Sequence, residues 1–259
     1  MTIIDTHAHY DHRQFNENRD EILANLPSNG IEHVINVGSD MKSTEASIKL
    51  SEKFPNIYAS VGVHPHYASI FENASNLDKL KKLATSKKVV AYGEIGLDFF
   101  HNFSPQDMQR EWFKKQLGLA CELDMPVIIH SRDANDEVFD IMKSSPARRG
   151  VIHSFSGDWA LAAKYVGLGF YIGVGGVVTF KKADALKEVC KEAPLSKILL
   201  ETDCPYLAPH PFRGKRNDST KLMLVAEEIA KIKGVSVEEV CYATSKNAKE
   251  LFAIPVSIA

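Results

Sequence analysis

Short runs of β-branched and other apolar residues recur along the whole chain: TIID, HVINV, IYASVGV, VVAYGEI, PVIIH, GVIHSF, FYIGVG and KILLE. Most are continuous rather than alternating, the pattern of strands buried on both faces of a parallel sheet. Helical periodicity fills the gaps. In SPQDMQREWFKKQLGLACEL, Met108 and Trp112 repeat at i, i+4, as do Phe113, Leu117 and Cys121, giving one apolar face. Ser104 is expected as its cap, with Pro105 at the first helical position and Asp107 in the first turn. In KLMLVAEEIAKIKG, Leu222, Val225, Ile229 and Ile232 line one side and Gly234 ends the helix. Ser236 with Glu239 predicts a capping box ahead of one more short helix.

Eight strands alternating with helices in 259 residues predict an α/β fold, a (β/α)₈ TIM barrel forming a single domain over residues 1–259. The alternative is an open doubly wound sheet. That fold normally carries a glycine-rich first βα turn that cradles a pyrophosphate. Here the first turn reads DTHAH. No linker, low-complexity tract or sequence repeat divides the chain.

Composition adds mainly exclusions. The chain is 44% hydrophobic and 25% charged, with a formal net charge of -2. No strong overall field draws it to nucleic acid or to an anionic membrane, so any grip on phosphates must be local. Cys121, Cys190, Cys204 and Cys241 form no CxxC pair, which argues against a disulfide framework or a zinc knot and for a reducing, cytoplasmic setting. No basic segment followed by an apolar core marks a signal peptide. FYIGVGGVVTF is too short and glycine-rich to span a bilayer.

The candidate chemistry lies where the strands end, which in a barrel of this kind is the functional face. His7 and His9 follow the first strand, and residues two apart on a strand point the same way. His64 follows the third, in GVHPH; Glu94 the fourth, in YGEIGLD; His130 ends the fifth, in VIIHSRD; His153 the sixth; Glu201 and Asp203 the eighth, in LLETDCP. Any one of these fits a hydrogen-bonded core position, but all of them at one rim point to a divalent-metal centre of imidazoles and carboxylates. His12, His33, His101 and His210 fall on helices, loops or strand starts, where solvated or capping roles are expected, and His66 fits either class.

These stretches carry a family resemblance. DTHAHYDH, GVHPH, GEIGLDFF, PVIIHSRDA, GVIHSFSG and ETDCPYLAP followed by HPFRGKRN resemble, in order and spacing, the signature stretches of the TatD-type metal-dependent deoxyribonucleases of the amidohydrolase superfamily. The resemblance runs from residue 3 to NAKELF near residue 252. It implies a two-metal site, with His7, His9, Glu94 and Asp203 on one ion and Glu94, His130 and His153 on the other, Glu94 bridging. It places His64 and Glu201 beside the site, in substrate contact and support. Two features depart from the family pattern: Ser154 stands where Cys is common, and RGKRN continues as DST where Glu-Pro is usual.

Such a nitrogen and oxygen ligand set suits Zn²⁺ or Mn²⁺, with Mg²⁺ a weaker guest. Asp203 is expected as the general base, touching metal and water together, with Glu94 as the catalytic bridge. Arg213, Lys215 and Arg216 in FRGKR and Arg132 in HSRD supply local positive charge for phosphate, with Arg213 and Arg132 the favoured substrate contacts. Phe99, Phe100, Tyr206 and Phe212 offer stacking surfaces near the rim or simply close the barrel mouth. Three readings compete. The first is a deoxyribonuclease trimming single strands or 3′/5′ ends of DNA, with no membrane and no obligate protein partner. The second is a hydrolase of small-molecule amides, lactones or esters, with an aminoacyl-tRNA ester between the two. The third is a non-catalytic binding module, which a missing ligand would favour, and none is missing. The basic RGKR loop separates the first from the second, since a neutral substrate has no use for it.

Overall fold

A computed structural model describes residues 2–71 and 74–255. Its strands are β1 (Ile3–Ala8), β2 (Ile31–Asn36), β3 (Ile57–Val61), β4 (Val89–Asp98), β5 (Val127–Arg132), β6 (Gly150–Ile152), β7 (Tyr171–Val174) and β8 (Ile198–Leu200). Each pairs in parallel with the next, in the order of the sequence. The helices are α1 (Arg19–Asn25), α2 (Met41–Lys53), α3 (Ala74–Ala84), α4 (Gln106–Glu122), α5 (Asn135–Ser144), α6 (Trp159–Gly167), α7 (Asp184–Glu192), α8 (Leu222–Lys233) and α9 (Val237–Phe252). This is the (β/α)₈ barrel that the runs of apolar residues predict.

The barrel shuts between its first and last strands. Ala8 makes a parallel bridge to Cys204, and Thr6 Oγ1 donates to the Leu200 carbonyl at 2.9 Å. Asp5, fully buried, latches the seam. Its carboxylate accepts from Thr202 N at 3.0 Å, Thr202 Oγ1 at 2.6 Å and Ser219 Oγ at 2.6 Å. The DST sequence after Asn217 serves this latch. Asp218 accepts from Thr220 N and caps a turn over Ser219–Lys221, which delivers Ser219 to Asp5.

Alternation along the strands places apolar and polar residues on one face in layers. Ile128 precedes His130 by two residues, Val151 precedes His153, and Leu199 precedes Glu201. These three aliphatic residues join Ile4, Ile35, Val37 and Ala91 in one cluster, closed by Leu251, Phe252 and Ile254 at the end of α9. A larger cluster holds the helices to the outside of the sheet.

Two helix ends differ from expectation. Ser104 does not cap α4; Pro105 flanks its first turn. Ser104 Oγ instead accepts from Ser69 N at 3.0 Å and donates to the His66 carbonyl at 2.9 Å, tying the loops after β3 and β4 together. The final helix is long, 16 residues, because Val240, Cys241, Thr244, Ala248, Leu251 and Phe252 all find burial along it. Ser236 Oγ does accept from the Glu239 N–H, and Gly234 ends α8 with a left-handed φ of 69°.

Candidate metal centre

The side chains expected at the strand ends meet around Glu94. β4 carries Glu94 into the barrel mouth beside β5, an approach that needs Gly96: a Cβ there would lie 1.9 Å from the His130 carbonyl oxygen, and its φ is +149°. The two carboxylate oxygens of Glu94 face different imidazoles. Oε2 lies 3.4 Å from His7 Nε2 and 3.9 Å from His9 Nε2. Oε1 lies 2.8 Å from His130 Nδ1, 3.5 Å from His64 Nε2 and 3.9 Å from His153 Nε2. Asp203 Oδ1 stands between the groups, 3.4 Å from His9 Nε2 and 3.9 Å from both His7 Nε2 and His153 Nε2.

Asp203 is held there by the closure of the barrel. Its N–H donates to the His7 carbonyl at 2.9 Å, and the His9 N–H donates to the Cys204 carbonyl at 2.8 Å. Its φ of 54° is left-handed, a region that Asp tolerates better than a branched residue. Behind the imidazoles sit acceptors. His9 Nδ1 meets the Val37 carbonyl at 3.1 Å, His130 Nε2 meets Asp98 Oδ2 at 3.3 Å, and His153 Nδ1 lies 3.0 Å from Glu201 Oε1 as an ion pair. Such partners fix which ring nitrogen turns inward. Glu201 is almost wholly buried and also takes the Ser154 N–H at 2.5 Å. It packs over β7, where a Cβ on Gly173 would come within 2.4 Å of its Oε2.

The donor set fits a divalent cation. His7 Nε2 and His9 Nε2 point at each other across 3.1 Å, and the His7 and His153 rings stack at 3.4 Å. His7 Nδ1 and Glu201 Oε2 are buried without hydrogen-bond partners. Nitrogen lone pairs turned on one another between two carboxylates suit a cation, which would displace the protons held there. Without a metal, the carboxylates draw positive charge onto the imidazoles instead. Burial alone would raise the Glu94 carboxyl, yet the His64 and His7 imidazoles beside it hold it well below the usual carboxylate range. Burial opposes the charge on His9, but Asp203 and Glu94 push it up to about 9. Burial likewise opposes His153, and Glu201 pushes it up to about 10. Burial lowers His7 and His64. Within this ring, the atoms that come together as candidate ligand groups are those of His7, His9 and Glu94, of His7, His153 and Asp203, and of His64, Glu94 and His130. His64 thus stands within the ring, not at its edge.

The expected substrate contacts lie further out. Arg132, two residues beyond His130, is exposed with its guanidinium 4.2 Å from the Phe100 ring centre. Arg213, in the loop after β8, is exposed and stacks 4.6 Å over Phe180. Arg216 is engaged elsewhere, donating to the Gln14 carbonyl and Asn18 Oδ1. His12 caps a short turn, its Nδ1 accepting from the Gln14 N–H.

Sequence reasoning missed two participants, Asp98 and His101, and left His66 open. Asp98 ends β4, and His66 and His101 lie against it at 2.8 and 3.0 Å. His101 is therefore not a solvated loop residue. The signal was present in GEIGLD: Glu94, Gly96 and Asp98 share one face of a strand that runs four residues past Glu94.

The chain matches the family profile described as TatD related DNase over residues 4–253. It belongs to that family. It is 41% identical over 254 residues to a protein of Bacillus subtilis named as the uncharacterized metal-dependent hydrolase YabD, covering 97% of this chain and 99% of that one. It is 33% identical to a Salmonella typhimurium protein named 3′-5′ ssDNA/RNA exonuclease TatD, covering 93% of this chain and 95% of that one. The crystal structure of YjjV, a TatD homologue from Escherichia coli, superposes with a TM-score of 0.91 at 32% identity, covering 98% of both chains. The chain is thus a metal-dependent hydrolase of the TatD family, and its imidazole and carboxylate clusters fit divalent-metal binding. No helix among the described residues is long and apolar enough to cross a membrane.

Proposed function

We propose that this chain hydrolyses phosphodiester bonds at the ends of single-stranded nucleic acid, DNA foremost, with two divalent ions held in the barrel mouth. The observation that carries the reading is the split of Glu94, one oxygen toward His7 and His9, the other toward His130, His153 and His64. A carboxylate so placed would be shared between two ions, with His7, His9 and Asp203 the residues that would hold one and His130 and His153 those that would hold the other. When bound, such ions would supply a water of lowered pKa and neutralise charge on a phosphoryl group.

The chain's own residues do the rest. Asp203 is the general base, since Oδ1 faces both halves of the site and its pKa is low: burial would raise it, but His9 and His153 keep it ionised and able to accept a proton. Asp98 and Glu201 hold His130 and His153 in the tautomers that leave their inward nitrogens free. Arg132 and Arg213 take phosphate oxygens at the opening. The exposed aromatic and aliphatic side chains support a strand with unstacked bases. Tyr67, Ile70, Phe100, Phe103, Tyr206, Leu207 and Phe212 all lie on loops that follow β3, β4 and β8, while Tyr242 lies on α9. Clustering at the mouth suits base stacking. The relative named as a single-strand exonuclease supports the same substrate.

The test gives the purified protein Mg²⁺, Mn²⁺ or Zn²⁺ in turn with end-labelled single-stranded DNA, duplex DNA and RNA, beside neutral amides, lactones and esters. Shortening of single strands from an end is the expected result. Metal-dependent turnover of a neutral compound at enzymatic rates, with no cleavage of nucleic acid under any ion, would replace this reading with a small-molecule hydrolase.

A further inference from the structure

Outside the ring built on Glu94, a second group of imidazoles gathers on Asp98. This carboxylate is 1% exposed and ends β4. Its Oδ1 accepts the His101 backbone N–H at 2.8 Å. Its Oδ2 lies 2.8 Å from His66 Nε2, 3.0 Å from His101 Nδ1 and 3.3 Å from His130 Nε2. A carboxylate oxygen offers two lone pairs, and here three ring nitrogens converge on one. His130 has the first claim, because its Nδ1 faces Glu94 and its Nε2–H is thereby aimed at Asp98. His66 and His101 are left to share what remains.

The frame around them is fixed. Gln109, at the start of α4, binds both the N–H and the carbonyl of Asp98 and the carbonyl of Ser104. Ser104 Oγ holds the His66 carbonyl. The His66 and His101 rings stand 5.0 Å apart at 78°, and the Phe103 ring packs against both, at 4.8 and 5.2 Å. One ligand atom from each of His66, Asp98 and His101 falls within a 4.8 Å span.

We propose that His66, Asp98 and His101 form a third divalent-cation site, distinct from the pair of sites around Glu94. Two imidazoles and one carboxylate suit Zn²⁺, Mn²⁺ and neighbouring ions. An ion between them removes the crowding on Asp98 Oδ2 and displaces the ring protons of His66 Nε2 and His101 Nδ1. Three protein ligands leave coordination positions open. His66 and His101 are 22% and 31% exposed at the side chain, so those positions face the opening, where an anionic oxygen of substrate or product can reach them. Three ligands, none shared with a second ion and two of them partly exposed, make it the weakest of the sites and the one that exchanges with solvent. Asp98 also contacts His130, so the outer ion is felt at the inner centre through one hydrogen bond.

The test is equilibrium dialysis against graded free Zn²⁺ or Mn²⁺ with elemental analysis, on the intact chain and on His101→Ala, with His66→Ala as a second variant and circular dichroism to verify folding. The intact chain should take up one more ion than either variant at high free metal, with the tightly held ions unchanged at low free metal. Superimposable isotherms would overturn the proposal, as would variants that lose tightly held ions and keep the weak one. The difference of one ion tests this site, whereas the count at low free metal tests the pair around Glu94, so either can fail alone.

Discussion

The two ends of the barrel interior use the same strands for opposite purposes. Ile128, Val151 and Leu199 make an apolar floor closed by Leu251, Phe252 and Ile254. Two residues further along the same strands, His130, His153 and Glu201 make a polar mouth. The floor is covered by a helix end; the mouth is covered only by loops. Burial of each large aliphatic or aromatic side chain at the floor contributes about 1.5–3 kcal/mol. At the mouth, buried carboxylates and imidazoles cost desolvation that only partners or cations offset. The floor therefore carries stability and the mouth carries chemistry.

Substitutions should separate the two. Asp203→Asn removes the proposed base and should lower turnover about 10²–10⁴-fold, with the circular dichroism spectrum and melting temperature close to those of the parent. Near-parental turnover in a metal-loaded variant would move the base elsewhere. Ile128→Ala should lower the unfolding free energy by about 2–5 kcal/mol in denaturant titration, while ion binding survives. Loss of ions at unchanged stability would erase the distinction between floor and mouth. Arg213→Ala, at the outer edge of the mouth, should weaken kcat/KM on nucleic acid by about 1.5–3 kcal/mol and leave stability alone. An equal loss on neutral substrates would remove its phosphate role.

The smallest effect is on pH dependence. In metal-free protein, His9 and His153 are raised to about 9 and about 10, above the ordinary histidine value. Groups raised on folding stabilise fully below the unfolded value, about 6.5, and that contribution is lost as pH rises through the folded values. The melting temperature of chelated protein should thus fall as pH is raised from about 7 to 10. Ile128→Ala should start lower and follow the same slope. A flat profile for the parent would contradict the charge states assigned to the mouth.

Much of this contrast was legible in the sequence because one periodicity encodes both ends. Continuous apolar runs announced a buried parallel barrel, and polar residues ending those runs announced the mouth. Glu94, His130 and Asp203 could be picked out because an apolar strand has no packing use for them. Asp98 escaped because β4 was read as ending at Glu94, although it continues to the next charged residue on the same face. His101 escaped because a loop residue has no periodicity; its own N–H bond to Asp98, with Gln109 bridging Asp98 and Ser104, folds that loop back. Ser104 looked like a helix cap because local rules see its neighbours in sequence, whereas its partners, His66 and Ser69, lie across a loop. The buried latch on Asp5 was equally hidden, since its partners Thr202 and Ser219 are about two hundred residues away.

The central claim is that one carboxylate, Glu94, holds two ions together. The most direct test counts divalent ions per chain by elemental analysis after saturation with Zn²⁺ and desalting, which strips the weak outer site, in the parent and in Glu94→Gln. Two ions in the parent and fewer than one in the variant are expected, because each ion loses its shared ligand. A single ion in the parent, or two retained by Glu94→Gln, would contradict the account.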